Sequence, residues 1–249
     1  MSNYISLQGK FYLAKIVAGI AGQPRHIGNV PDFEVSTDAE IIEHNESMTG
    51  SRTVDYTMEK SKSVKFKGTL EEVNPDNLAY ILNGQKSTIA GSTVVAESLG
   101  TVTVGTEVEL KGYNVSAVVI KDSTGTPVIV DASKYKVDAA FGTVTFNDVT
   151  GLTMPLLADY TAGTASSVTI NDVESQEYEL TFRGVNTANN NSKVELKLWR
   201  TKKDPGTTFQ LIHEELGSYE INGSAISDIT RANDATLGLY GRYVTIDQA

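Results

Sequence analysis

Cysteine is absent from the sequence. That removes disulfide frameworks, iron–sulfur clusters, thiolate zinc sites and cysteine nucleophiles together. Positive charge is also in short supply. The 21 Lys and Arg face 31 Asp and Glu, a net charge of −10, which disfavours a general DNA or RNA binder. Long apolar runs are missing too. Stretches such as Ala14–Ala21 (AKIVAGIA) fall far short of the roughly 20 residues of a membrane-spanning helix. The first residues, MSNYISLQGK, lack a charged-then-apolar leader, so the expectation is a chain made and kept in the cytoplasm, or one that leaves it by a route with no cleavable signal. What remains is ordinary globular composition, 40% apolar and 21% charged over 249 residues. It suits one large domain or two small ones with a real core.

Val, Ile and Thr make up roughly a quarter of the chain, a mix suited to strands. Alternation is clear in Lys62–Leu70, where Val64, Phe66, Gly68 and Leu70 share a face opposite Lys65, Lys67 and Thr69. It recurs in Tyr178–Val185 and Lys193–Arg200, joined as a hairpin by the polar Asn186–Ser192. Each predicts a strand with one buried face. Further strands are expected at Phe11–Val17, Phe33–Ser36, Ile41–His44, Thr53–Glu59, Tyr219–Ile221 and Tyr243–Ile246.

One segment has the grammar of a helix. In Asn74–Gly84 (NPDNLAYILNG), Asn74 can cap, Pro75 fits the first helical position, and Asp76 favours the positive end of the dipole. Leu78, Ile81 and Leu82 form an apolar stripe, and Gly84 is the expected stop. The helix, 75–83, is too short to stand alone and must dock on a sheet. From 85 to 175 the texture changes: five lysines and no arginine stand against ten acids. This part is read as an inserted strand-rich segment or subdomain. The scaffold is then 1–84 and 176–249.

Chemistry is hard to find. His26, His44 and His213 form no metal-binding or catalytic pair, and a lone histidine is more often a satisfied surface residue. Phosphate-binding and nucleophile-elbow motifs are absent from the sequence. Asp122, Asp131 and Asp138 have no calcium-loop spacing and read as solvated loop acids. Arg52, Lys60, Lys62, Lys65 and Lys67 are a basic cluster with little aromatic interleaving. Edge protection or pairing with acids explains them better. Trp199 falls on the polar face of its strand. It is expected either beneath the helix or insert, or as an interface anchor.

Three stretches in order resemble the tail tube (major tail) proteins of long-tailed bacteriophages. The first is the strand VKFKGTLEEV leading into the helix, with Pro75, Asn77, Leu78, Leu82 and Gly84 at matching positions. The second is DASKYKVDAAFGTVTF within the insert. The third runs from YELTFRGVNTANNNSKVELKLW to the closing strands. The resemblance implies a mainly β, tail-tube-like sandwich or barrel with one short flanking α-helix and a strand-rich insertion. It also implies hexameric rings stacked into a hollow tube that conducts DNA into the host. The partners would be further copies of the chain, a tape-measure protein, and tail terminator and baseplate or tail-tip proteins. DNA would pass without specific binding, and the subunit would not insert in a membrane. The setting would be the virion, after assembly in the bacterial cytoplasm.

The resemblance implies no enzyme activity, cofactor or metal. Glu43–Lys60 (EHNESMTGSRTVDYTMEK) would be the long loop that reaches a neighbouring subunit or ring. Asn45, Ser47, Gly50, Arg52 and Trp199 are the candidate inter-subunit or inter-ring contacts. An acidic lining would let DNA slide without sticking. Two other classes compete. One is a different β-sandwich structural or interaction protein, such as a capsid decoration or adhesin module. The other is a glycan-hydrolysing enzyme with paired carboxylates, disfavoured by a single Trp for sugar stacking.

Overall fold

A computed structural model describes residues 4–174, 176–206, 208–232 and 234–246. The chain divides into two compact units, one made of Met1–Gln85 with Thr169–Ala249 and the other of Lys86–Val168. The expected second boundary, at 175, falls on a residue outside those described. The unit closes instead at 168, because strand 165–168 pairs with strand 86–89.

The first unit begins with β1 (Leu7–Val17), the short β2 (Ile20–Ala21) and β3 (Arg25–His26), then the long β4 (Phe33–Asn45) and β5 (Val54–Leu70). Helix α1 (Pro75–Ile81) follows. The second unit holds β6 (Lys86–Ile89), β7 (Ser92–Gly100), β8 (Glu107–Glu109), β9 (Ser116–Lys121), β10 (Tyr135–Asp138), β11 (Thr143–Phe146), β12 (Leu156–Ala162) and β13 (Ala165–Val168). The chain returns to the first unit with β14 (Glu177–Asn186), β15 (Ser192–Lys203), β16 (Tyr219–Ala225) and β17 (Gly241–Ile246). The fold is therefore mainly β with one short α-helix.

In the first unit a nine-stranded sheet runs β2-β1-β14-β15-β16-β5-β4, with β3 beside β1 and β17 beside β15. Strand β15 pairs with β17 over Lys193–Leu198 and with β16 over Thr201–Lys203. That change of partner lets the sheet turn a corner. The strands near its two ends then face each other: Phe11 of β1 lies 4.5 Å from Phe33 of β4, ring centre to ring centre. Phe182 and Phe66 extend the aromatic cluster at 4.8 and 5.9 Å. Contacts of this kind add to the burial of each ring.

Glycine makes room for these rings. Gly68 is opposite Phe33 and Gly223 is opposite Phe66 across the ladder. A Cβ on either would stand 2.5 Å from the ring of its partner. The rings therefore lie flat over backbone that carries no side chain.

Helix α1 is capped as its sequence predicts, with the Asn77 amide donating to Asn74 Oδ1 at 2.9 Å. Its buried face differs from the expected stripe of Leu78, Ile81 and Leu82. Asn77, Tyr80 and Ile81 are the buried residues. Asn77 is inside because its amide donates to the carbonyls of Ile27 and Glu72, both at 2.8 Å, and its Oδ1 accepts from Arg25. All its polar atoms have partners, so its burial costs little. Tyr80 stacks edge-on against Tyr178 at 5.0 Å. The left-handed residue ending the helix is Asn83 (φ 48°) rather than Gly84, since asparagine tolerates that conformation.

The second unit has its own core. Val144, Phe146, Ile120, Leu156 and Ala158 are fully enclosed between the three-stranded sheets β10-β11-β8 and β7-β12-β9.

Replacing Gly223 with Val should destabilise the first unit by about 1–3 kcal/mol, because the new side chain would meet both the Lys202 carbonyl oxygen and the Phe66 ring. Gly206→Ala, where an added Cβ meets nothing within 4 Å, should stay within about 0.5 kcal/mol of the parent. Urea unfolding midpoints of the two variants check this.

Candidate assembly surface

Residues 43–60 are not a long loop. Strands β4 and β5 are paired from Phe33↔Gly68 out to Asn45↔Val54, and the connection spans 46–53. Beyond Val64, where pairing to β16 ends, β5 has only β4 as a neighbour. The result is a two-stranded arm, about 30 Å long at ~3.3 Å per residue. The expected strands Ile41–His44 and Thr53–Glu59 run through this segment as the outer lengths of β4 and β5. Polar pairs such as Asp38↔Ser63 and Glu40↔Ser61 bridge the apparent gaps.

Nearly every arm residue is exposed. One face carries Ile42 opposite Met58 and His44 opposite Tyr56. The other carries Ile41 opposite Glu59 and Glu43 opposite Thr57. Ile41, Ile42, Val54, Tyr56 and Met58 are all exposed. An isolated two-stranded ribbon is marginal in water. Ion pairs brace its edges: Lys60–Glu40 and Lys62–Glu59, each 2.6 Å. His44 Nδ1 lies 2.6 Å from Asp55 Oδ1. Exposed pairs of this kind contribute little each, so the apolar face is left asking for cover.

The tip is ordered by one carboxylate. Glu46 accepts from the amides of Met48 (2.9 Å) and Thr49 (2.8 Å) and from the hydroxyls of Thr49 and Ser51. These bonds, the Ser51 hydroxyl foremost, hold its pKa down to about 2. Around this clamp the four candidate tip residues are all exposed. Asn45 ends β4, Ser47 stands beside Glu46, and Gly50 (φ 79°) and Arg52 (φ 52°) take the left-handed turns. Glu46 was not a sequence candidate. Its signal is the spacing of Thr49 and Ser51, three and five residues on, which resembles a carboxylate-capped turn.

Trp199 lies elsewhere and is only 5% exposed. Its indole Nε1 donates to the carbonyls of Leu237 (3.3 Å) and Gly238 (3.1 Å), and the Arg231 guanidinium lies 4.1 Å above its ring. The segment that crosses it does so where β15 leaves β17 for β16. Little of its surface is left for a partner.

The remaining polar candidates stay apart. Asp122, Asp131 and Asp138 each accept from backbone amides of their own turn. Among the described residues no cluster of His, Asp or Glu could hold a metal ion. His26 packs on Tyr12, and His213 on Tyr219. The non-core face of β1, β14, β15 and β17 carries Lys10, Arg183, Lys193, Lys197 and Arg242 against Glu179 and Glu195. Arg183 pairs with Glu195 at 2.9 Å and Lys197 with Glu179 at 3.0 Å.

These features define a class: a mainly β protein in two compact units, the first of which carries an exposed two-stranded arm. The chain belongs to the family described as protein of unknown function UCP028589, matched over residues 4–244. No curated protein matches it. Among the described residues no helix is long and apolar enough to cross a membrane.

The clamp gives a pH signature. A folded pKa near 2, below the ordinary 4.5 of glutamate, means the tip is fully braced above about pH 4.5. The bracing is lost as pH falls through about 2. In a nuclear magnetic resonance titration the Thr49 amide should move with a midpoint near 2. A midpoint near 4.5 would show the clamp absent, and Glu46→Gln should abolish the transition.

Proposed function

We propose that this chain is a tail tube subunit of a long-tailed bacteriophage. Its job is structural: copies close into hexameric rings, and the rings stack into the hollow tube that conducts DNA into the host. The observation that carries the reading is the arm. It holds exposed apolar side chains on a ribbon too thin to bury them, and its braced tip suits a fixed docking geometry. The strand-to-helix passage with Pro75, Asn77, Leu78, Leu82 and Gly84 supports the same reading. The partners proposed are further copies of the chain, a tape-measure protein, and terminator and baseplate or tip proteins. The virion is the proposed setting.

The charge pattern refines the proposal. A DNA conduit should not present fixed cations to phosphates. The cation-rich face of β1, β14, β15 and β17 is therefore assigned to contacts between subunits rather than to the channel.

Electron microscopy of purified protein should show rings or tubes, on the order of 100 Å wide for six subunits of this size. Replacing Asn45–Arg52 with a two-residue turn should leave a folded subunit that does not polymerise. Tubes from that shortened form would refute the role given to the arm tip. Ile42→Lys with Met58→Glu, which puts opposite charges across the pair, should give the same loss while shifting stability by no more than about 0.5 kcal/mol.

A further inference from the structure

The arm leaves the body at a point where one flank loses its ladder. β5 pairs with β16 as far as Val64↔Ala225 and has only β4 beyond it. A two-stranded ribbon twists more than a wider sheet and is marginal by itself. The ladder alone therefore does not fix the arm's direction at its root. The Lys62 carbonyl, two residues past the last β16 pair, nevertheless has a partner on that flank. The Tyr240 hydroxyl donates to it at 3.0 Å. The two residues are 178 apart in sequence, so the bond is no product of the ribbon itself.

Tyr240 is built to hold something still. It belongs to the segment that crosses Trp199, and that segment is fastened at several points. The Trp199 amide donates to the Tyr240 carbonyl at 3.0 Å, and the Asp228 amide to the Leu239 carbonyl at 2.8 Å. Arg231, which lies over the Trp199 ring, is tied to Asp228 at 2.8 Å. The next residue, Gly241, runs so close to β15 that a Cβ would stand 2.2 Å from the Lys197 carbonyl oxygen. The Tyr240 ring itself packs against the core of the first unit. A hydroxyl on a ring held at its backbone and its face is a fixed post. The arm root is the softer of the two partners.

We infer that Tyr240 is a positioning residue for the arm: its hydroxyl, bonded to the Lys62 carbonyl, sets the direction in which the arm leaves the body. Without that bond the ribbon swings about residues 61–64 and meets a neighbour over a spread of directions. The freedom would then have to be lost on association, which weakens it. Trp199 serves the arm at one remove, by holding the segment that carries Tyr240. The consequence for assembly rests on the reading of the arm as the docking element of a self-assembling subunit. The pinning of the arm root does not depend on that reading.

The absence of native cysteine permits site-specific spin labelling of the full chain. Thr57→Cys on the arm and Ala188→Cys in the β14–β15 connection are both exposed sites. Dipolar electron spin resonance between the two labels should give one narrow distance distribution. Adding Tyr240→Phe, which keeps the ring and removes only the hydroxyl, should widen that distribution and leave the urea unfolding midpoint in place. A distribution already broad in the parent, or one that Tyr240→Phe leaves unchanged, would overturn the inference. Unlabelled Tyr240→Phe should need about three- to ten-fold more protein than the parent to form rings or tubes, the range one hydrogen bond supplies. Equal thresholds would overturn the part given to the bond in assembly. Tubes from both proteins with identical distance distributions would remove the pin and leave the tube reading standing. A widened distribution in a protein that forms no rings or tubes would do the opposite.

Discussion

The contact between Phe11 and Phe33 joins strands near opposite ends of one sheet. Much of the first unit follows from it. To bring those rings together the sheet must turn, and β15 provides the turn by changing partners between Leu198 and Thr201. The turn exposes the polar side of β15 at Trp199, and the later chain crosses there to cover it. The core then fills with Phe66, Phe182, Leu180 and Ile221, and α1 docks through Tyr80 and Ile81. Closure is aromatic rather than hydrogen-bonded, because β1 and β4 are not ladder partners. That is why a cleft remains between them. A sheet closed by backbone bonds would have no such edge to offer.

The arm follows from the same strands. β4 and β5 belong to the curled sheet only as far as Phe33–Thr37 and Val64–Leu70. Past that point neither has another neighbour, and burial ends with the third strand. The two lengths therefore differ in what stabilises them. The inner length is held by packing under Phe33 and Phe66, and the outer length by cross-strand pairs and the Glu46 clamp. The proposed assembly would supply the missing cover, turning a marginal ribbon into an interior one.

Much of this is legible in the residues. The alternation in Tyr178–Val185 and Lys193–Arg200 carries its buried face openly, because apolar burial on one side imposes a period of two. Asn74, Pro75 and Asp76 announce the helix start for local reasons. The arm is harder to read. Ser61, Lys62 and Ser63 interrupt the apolar pattern, so one strand looks like two with a loop between. Exposure on both faces removes the signal that alternation normally provides. Trp199 is misleading for a related reason. Its strand position is polar by parity, and only the non-local crossing at Leu237–Gly238 accounts for its burial. The cleft is invisible in sequence, since it exists only where Phe11 and Phe33 meet across the turn of the sheet.

Charge shows how the fold changes the meaning of composition. A net −10 suggests an acidic surface everywhere. The register instead gathers cations on the non-core face of β1, β14, β15 and β17, where Arg183 and Lys197 have acidic partners and Lys10 and Lys193 stand beside a largely apolar groove that Glu195 also lines. The same chain total therefore hides a face with five cations against two acids. Between faces of one sheet the pleat separates them completely: Lys10 and Phe11 are neighbours in sequence and point to opposite sides. What a copy meets is the charge of the face presented, and the chain's net charge acts only at longer range, where it keeps free copies apart.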